Sequence, residues 1–149
     1  MLARIMKATV GLDQCLNLLQ NDMNLLKDTS PKRFEEIVTN VFKQNGYLAT
    51  HVGKAGDNGV DIIAIHENNI SPINYLIQCK HLKNKIGVST IRELYGVKTD
   101  LKASKAILVT TSDFTKGAMQ FAEKNTWEIE LIDFNNLSNI ILGSKKSNQ

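Results

Sequence analysis

At 149 residues the chain has the length of one domain and enough of it to bury a core. Hydrophobic residues make up 42% and charged residues 22%, an ordinary globular balance, and no apolar run approaches the ~20 residues that span a bilayer. The only two cysteines, Cys15 and Cys79, form neither a CxxC pair nor a disulfide framework, which fits a reducing cytoplasm. A net charge of +3 decides little, but its distribution says more. Lys80, Lys83, Lys85, Arg92, Lys98, Lys102 and Lys105 are opposed within their stretch only by Glu93 and Asp100. Such a stretch suits a polyanion, and a solvated helix face reads equally well.

The first ten residues mix Arg4 and Lys7 into apolar sequence; no small-residue cleavage site follows, so they read as retained. Residues 2–27 are predicted helical, with Leu12, Leu16, Leu19, Met23 and Leu26 at alternating steps of four and three. Two heptads are too few for a coiled coil, so this helix should pack on the domain or on a twin subunit; Gly11 weakens its first half. A second helix is bounded by Ser30, Pro31 and Gly46 and carries Phe34, Ile37, Val38, Val41 and Phe42 as one buried stripe. Strands are predicted at Tyr47–Val52, Val60–Ile65 and Ile73–Lys80, with the Gly53–Gly59 loop before the second and a hairpin turn at Glu67–Pro72 joining the last two. Then come a helix over Val88–Leu101, a buried strand over Ala106–Thr110, a helix over Phe114–Lys124, a strand over Ile129–Ile132 and a short helix over Leu137–Leu142. Residues 143–149 read as a frayed tail and Trp127 as core. The sum is an α/β sandwich whose mixed sheet is antiparallel first and parallel later.

Several chemistries lack their residues. His51, His66 and His81 show no paired-ligand spacing, no cysteine cluster exists for zinc, and neither a GxxxxGK[ST] loop nor a GxSxG elbow occurs. Acids, amides and lysines remain. Gln78 and Lys80, two apart on a strand, project to one face while Cys79 turns inward. In a hairpin the start of one strand lies opposite the end of the other, so Asp61 comes close to both. Gly56 and Gly59 let the intervening loop turn sharply; Asp57 reads as a loop cap before a metal ligand. On the second helix Glu35 flanks the buried stripe and Glu36 faces solvent, so Glu35 is the acid that reaches a site on the sheet.

Phe34-Glu35, Asn45-Gly46-Tyr47, Gly56-Asp57-Asn58-Gly59-Val60-Asp61 and Gln78-Cys79-Lys80, in this order, resemble the Mrr-type catalytic domain of the restriction-endonuclease-like superfamily. Ile91-Arg92-Glu93-Leu94-Tyr95-Gly96, Val109-Thr110-Thr111-Ser112, Phe114-Thr115 and Leu131-Ile132-Asp133 continue the resemblance, which covers about residues 30–138. The general pattern has an acid two residues before the lysine; Gln78 stands there instead, a familiar Mrr-type variant with one negative charge fewer. The resemblance implies a restriction-endonuclease-like α/β sandwich, a central mixed β-sheet flanked by helices. Its parts are an N-terminal helical extension (1–29), a nuclease domain (30–142) and a tail (143–149).

The resemblance further implies a Mg²⁺-dependent endonuclease that hydrolyses DNA phosphodiester bonds to 5′-phosphates, in restriction or defence against foreign or modified DNA, with Mn²⁺ as a substitute ion. Asp61, Gln78 and Glu35 would hold the metal, directly or through water, and Lys80 would orient the attacking water or neutralise charge on the phosphate. Lys83, Lys85, Arg92 and Thr111 are candidate DNA contacts. Thr110, Thr111 and Ser112 suit phosphate contacts and a strand-to-helix cap equally, Gln120 stands in the same position, and Tyr95 reads as packing against the sheet. No segment here reads a long DNA sequence, so specificity would come from a partner subunit, a homodimer or DNA structure. Two alternatives accompany this reading: a branched-DNA nuclease, and a catalytically silent DNA-binding module. An RNA-directed nuclease ranks below them, because no base-stacking platform is visible.

Overall fold

The computed structural model describes residues 10–52, 59–67 and 70–147. Expectations for residues 1–9, for Gly56 and Asp57 in the loop before the second strand, and for the tip of the hairpin turn lie outside the described residues. Within them, the long helix expected over 2–27 is two pieces. Helix α1 (Leu12–Asn21) begins after Gly11, whose backbone is extended (φ −65°, ψ 162°), and stops at Asp22 (φ −154°). The Asp22 side chain accepts the Asn24 N–H at 3.0 Å and opens a tighter 3₁₀ turn, Met23–Asp28. A short acid competes for backbone donors in this way, which is why it breaks helices that it does not cap. Cys15, Leu19, Leu25 and Leu26 are buried in the same core as Phe34 and Ile37, so this segment packs on the domain.

Helix α2 (Pro31–Gln44) is bounded as its sequence predicts: the Ser30 hydroxyl accepts the Arg33 N–H at 3.1 Å, and Gly46, at φ +91°, turns the chain away. Five strands follow, β1 (Leu48–His51), β2 (Ile62–His66), β3 (Ile73–Lys80), β4 (Lys105–Thr110) and β5 (Ile129–Ile132), with helices α3 (Val88–Asp100), α4 (Lys116–Lys124) and α5 (Phe134–Ser147) between and after them. The sheet order is β1-β2-β3-β4-β5. β1, β2 and β3 pair antiparallel, whereas β3, β4 and β5 pair parallel. Alternation along β3 and β4 separates two cores. Ile77, Ile107 and Val109 meet Phe34, Ile37 and Leu137 on one face; Ala106 and Leu108 meet Ile91, Leu94 and Phe114 on the other.

Three more expectations are corrected. Trp127 is 88% exposed rather than core, because it lies in the tight link between α4 and β5 and Ile129 takes the buried position that follows. Helix α5 is longer than expected at both ends: the Asp133 carboxylate accepts the Asn136 N–H at 2.8 Å, an N-cap, and the helix runs on to Ser147. The basic stretch from Lys80 to Lys105 is not one surface, since Lys98 is buried and paired with Glu128 at 2.6 Å and Lys105 is paired with Glu130 at 3.1 Å.

The Lys98 ammonium and then the Tyr95 hydroxyl, at 2.9 Å, both donate to Glu128 and hold its carboxyl below the usual range. Tyr95 also meets Phe121 edge-on, so it joins α3 to α4 and to the start of β5. A depressed carboxylate stabilises the fold above the ordinary carboxylate range and loses that contribution as pH falls through its lowered value. Acidification from about pH 6 to about pH 3 should therefore lower the melting temperature of the wild type more than that of Lys98→Met. Circular-dichroism melts across that range read the difference, and equal declines would contradict it.

Candidate active site

Asp61 sits one residue before β2, where the ladder to β3 changes. Register pairs Ile62 with Ile77, yet the Asp61 N–H also donates to the Ile77 carbonyl at 2.9 Å. Two residues of one strand thus oppose one of the other, the arrangement of a β-bulge, a device that re-aims a side chain. The Asp61 carbonyl still accepts the Val52 N–H at 2.9 Å, so pairing toward β1 continues undisturbed. Toward β3, the carboxylate stands in for backbone: its Oδ2 accepts the Cys79 N–H at 2.7 Å. A carboxylate-to-amide bond of this length is a strong, charge-assisted one. It fixes Asp61 against the backbone between Gln78 and Lys80.

Gln78 is held from beneath. Gly59, at φ +86°, approaches so closely that a Cβ there would stand 2.5 Å from the Gln78 Nε2. The left-handed backbone calls for glycine, and an added Cβ would displace the Gln78 amide. Cys79 packs into the α2-side core, which leaves Gln78 and Lys80 to project on the opposite face. Burial first, and then the Asp61 and Glu35 carboxylates, push the Cys79 thiol well above its usual range. Both carboxylates thus raise the same thiol although they come from different elements. Glu35 stands on α2, mostly shielded from solvent at 16% exposure, with its Oε2 3.6 Å from the His51 Nε2. Glu36, expected to face solvent, is half-buried at 39% exposure, more open than Glu35, and pairs with Arg33 at 3.0 Å.

Lys80 ends β3 beside Thr110 of β4. Its carbonyl accepts the Thr110 hydroxyl at 2.8 Å. The Thr111 hydroxyl donates to the Leu82 carbonyl at 3.2 Å and the Ser112 hydroxyl to the Asn84 carbonyl at 2.8 Å. These three hydroxyls, expected either at phosphate or at a helix cap, instead fasten the segment that follows Lys80. Thr111 is 3% exposed, so among the candidate DNA contacts it stands apart from Lys83 and Lys85, which are exposed on that fastened segment. Arg92 is exposed on α3, its guanidinium 5.8 Å from the Phe121 ring centroid, and Gln120 is exposed on α4. A cleft of about 550 Å³ opens beside this region between Lys27, His81, Lys83, Thr111 and Ser112. Lys27 and His81 carried no functional expectation: one ends the first predicted helix and the other shows no ligand spacing, so only the fold brings them to the cleft.

Among the described residues no group of three or more His, Cys, Asp or Glu side chains is placed to hold a metal ion. The potential donors are two carboxylates, Asp61 and Glu35, and the amide oxygen of Gln78. All are hard oxygen donors, which suits a small divalent cation that retains several of its waters.

Residues 26–141 match the restriction endonuclease family of Mrr-type catalytic domains. The chain belongs to that family. It is 33% identical over 124 residues to the type IV methyl-directed restriction enzyme EcoKMrr of Escherichia coli K12, a match that covers 75% of this chain and 40% of that protein. The chain thus spans less than half the length of this curated relative. In solved structures the fold is similar to that of AspBHI, a DNA modification-dependent restriction endonuclease, with a TM-score of 0.62, 16% identity, and coverage of 96% of this chain and 38% of the other. It is also similar to MspJI restriction endonuclease in complex with a 27-mer oligonucleotide, with a TM-score of 0.57, 17% identity, and coverage of 87% and 30%. The mixed five-stranded sheet flanked by helices is therefore the restriction-endonuclease fold that the motifs imply.

Gly59→Ala tests the seat of Gln78. The substitution should cost about 1 kcal/mol through its left-handed backbone alone, read by urea unfolding, because the amide can swing aside. That swing should still cost most of any cleavage activity, whereas a Gly59→Ala protein of unchanged activity would show that the Gln78 amide has no required position.

Proposed function

We propose that this chain is a DNA endonuclease domain whose active centre is Asp61, Gln78 and Lys80, assisted by Glu35. The observation that carries the reading is the Asp61 carboxylate, fixed by the Cys79 N–H between Gln78 and Lys80. A conformation so determined by backbone needs no rearrangement when charge arrives, the condition for electrostatic catalysis. Asp61 and the Gln78 amide oxygen would hold a divalent cation, Mg²⁺ with Mn²⁺ as a substitute, and Glu35, which comes from the α2 face, would complete the site through water. When bound, that cation would polarise the scissile phosphate and supply a more acidic water. Lys80, aligned by its place at the end of β3, orients the attacking water or neutralises the charge that builds on the phosphate. Lys83 and Lys85 extend positive charge along the same edge and meet neighbouring phosphates, which position DNA without reading sequence. Arg92 is a further phosphate contact.

Restriction of modified or foreign DNA is the role favoured by family membership and by the likeness to EcoKMrr, a methyl-directed restriction enzyme. Because the chain spans 40% of EcoKMrr, recognition of the modified base belongs to a further region or to a partner subunit, and a dimer would cut both strands. Cys15 and Cys79, which form no disulfide, suit a reducing compartment such as the cytoplasm; among the described residues no helix is long and apolar enough to cross a membrane.

The test is cleavage of supercoiled plasmid, methylated and unmethylated, with Mg²⁺ and with chelator. The wild type should cut in Mg²⁺ and not in chelator. Asp61→Ala and Lys80→Ala should each lose on the order of 10²–10³-fold in rate with unchanged circular dichroism. Full activity in either variant would refute the assignment.

A further inference from the structure

The run Thr110-Thr111-Ser112 lies at the end of β4, and the nuclease reading assigns it no part in the chemistry. Thr110 is 0% and Thr111 3% exposed, so their hydroxyls are placed for the interior of the protein. Each hydroxyl of the run donates to a different carbonyl in the segment that leaves the active-site strand: Thr110 to Lys80, Thr111 to Leu82, Ser112 to Asn84. The carbonyls alternate, two residues apart, so consecutive hydroxyls follow the segment like rungs. Thr110 is the hub. Besides Lys80, its Oγ1 accepts the Ser112 N–H at 3.1 Å and lies 3.1 Å from the Ser112 Oγ. The Thr111 N–H adds a second donor to the Lys80 carbonyl at 3.3 Å. Beyond the rungs, Ile86 forms a parallel bridge with Phe114, with the Ile86 N–H on the Asp113 carbonyl at 2.8 Å and the Thr115 N–H on the Ile86 carbonyl at 2.9 Å.

Regular pairing of β3 with β4 ends at Lys80 and Thr110, so past that point side-chain hydroxyls do what a strand ladder would do. Packing alone would be served equally by valine at position 110. The polar choice costs desolvation unless the bonds are made, and here they are made to the backbone of the lysine itself. We propose that Thr110, supported by Thr111 and Ser112, is a positioning residue for the cleavage reaction: it sets the backbone of Lys80, and hence the aim of its ammonium group, and holds Lys83 and Lys85 in line with it. The inference rests on the nuclease reading above.

Thr110→Val removes the hydroxyl at nearly constant volume, and Thr110→Ser restores it. Single-turnover cleavage of plasmid DNA, DNA affinity by gel shift in chelator, and thermal melting are measured on the 149-residue chain for wild type, both variants and Lys80→Ala. Misplacement of a reacting group by about an ångström costs on the order of 10²-fold. Thr110→Val is thus expected to cleave about 10–100-fold more slowly with affinity within about twofold of wild type, and Thr110→Ser to recover most of the rate. A rate loss that affinity and melting temperature follow in step, with no rescue by serine, would assign Thr110 to folding alone and overturn the proposal. Wild-type rate in Thr110→Val beside an inactive Lys80→Ala would overturn it while leaving the nuclease reading intact. No cleavage by the wild type would overturn both. Should Thr110→Val fail to fold, Ser112→Ala is the substitute: the same slowing at constant affinity supports the proposal, and an unchanged rate removes it.

Discussion

One hydrogen bond holds the proposed active centre together: the Cys79 N–H donating to the carboxylate of Asp61. Where the bulge at Asp61 interrupts the ladder, a backbone donor on β3 loses its regular partner, and a half-buried amide without one is costly. The carboxylate resolves that cost and is itself immobilised. A side chain whose position is dictated by the backbone of the opposite strand is as rigid as the sheet. The rest of the site follows from this constraint. Gln78 and Lys80 flank the bonded amide, Gly59 leaves room for the Gln78 side chain, and Glu35 arrives from α2 because Phe34 and Ile37 anchor that helix on the same face as Cys79.

The sheet's change of direction explains where the site lies. β3 pairs antiparallel with β2 and parallel with β4, so its carboxyl end meets the start of one neighbour and the end of the other. The start of β2 brings an acid; the end of β4 brings hydroxyls. Ligands of open α/β sheets commonly sit beyond the carboxyl ends of parallel strands, and here that end is also where an antiparallel hairpin contributes its opening residue. The two cores divide labour accordingly. The α2-side core positions Glu35 and Cys79, while α3 and α4 pack on the Leu108 face.

Most of the fold was legible in the sequence because its signals are local. Ser30, Pro31 and Gly46 mark α2, and the apolar alternation of Ile73–Lys80 is β3 to the residue. What failed depended on competition between residues that pattern does not weigh. Asp22 lies inside a good leucine periodicity and breaks it by taking a backbone donor. Trp127 is hydrophobic, yet the short connection around it offers no face to pack on. Lys98 and Lys105 looked like part of a basic surface, but their partners Glu128 and Glu130 lie on a distant strand or just before it. At the site, strand alternation placed Gln78 and Lys80 and a hairpin argument brought Asp61 near them. The bulge was not legible, because it depends on a one-residue slip that no residue type announces. Nor were the hydroxyl rungs: Thr110, Thr111 and Ser112 read as polar residues after a strand, and only the fold shows which carbonyls they meet.

Manganese binding followed by electron paramagnetic resonance tests the central claim most directly, since it needs neither the right DNA nor a complete recognition region. The account predicts that the wild-type chain immobilises Mn²⁺ and that Asp61→Asn, equally folded, does not. Equal binding by the two proteins would contradict it, because the carboxylate that the Cys79 amide fixes would then have no part in gripping the ion.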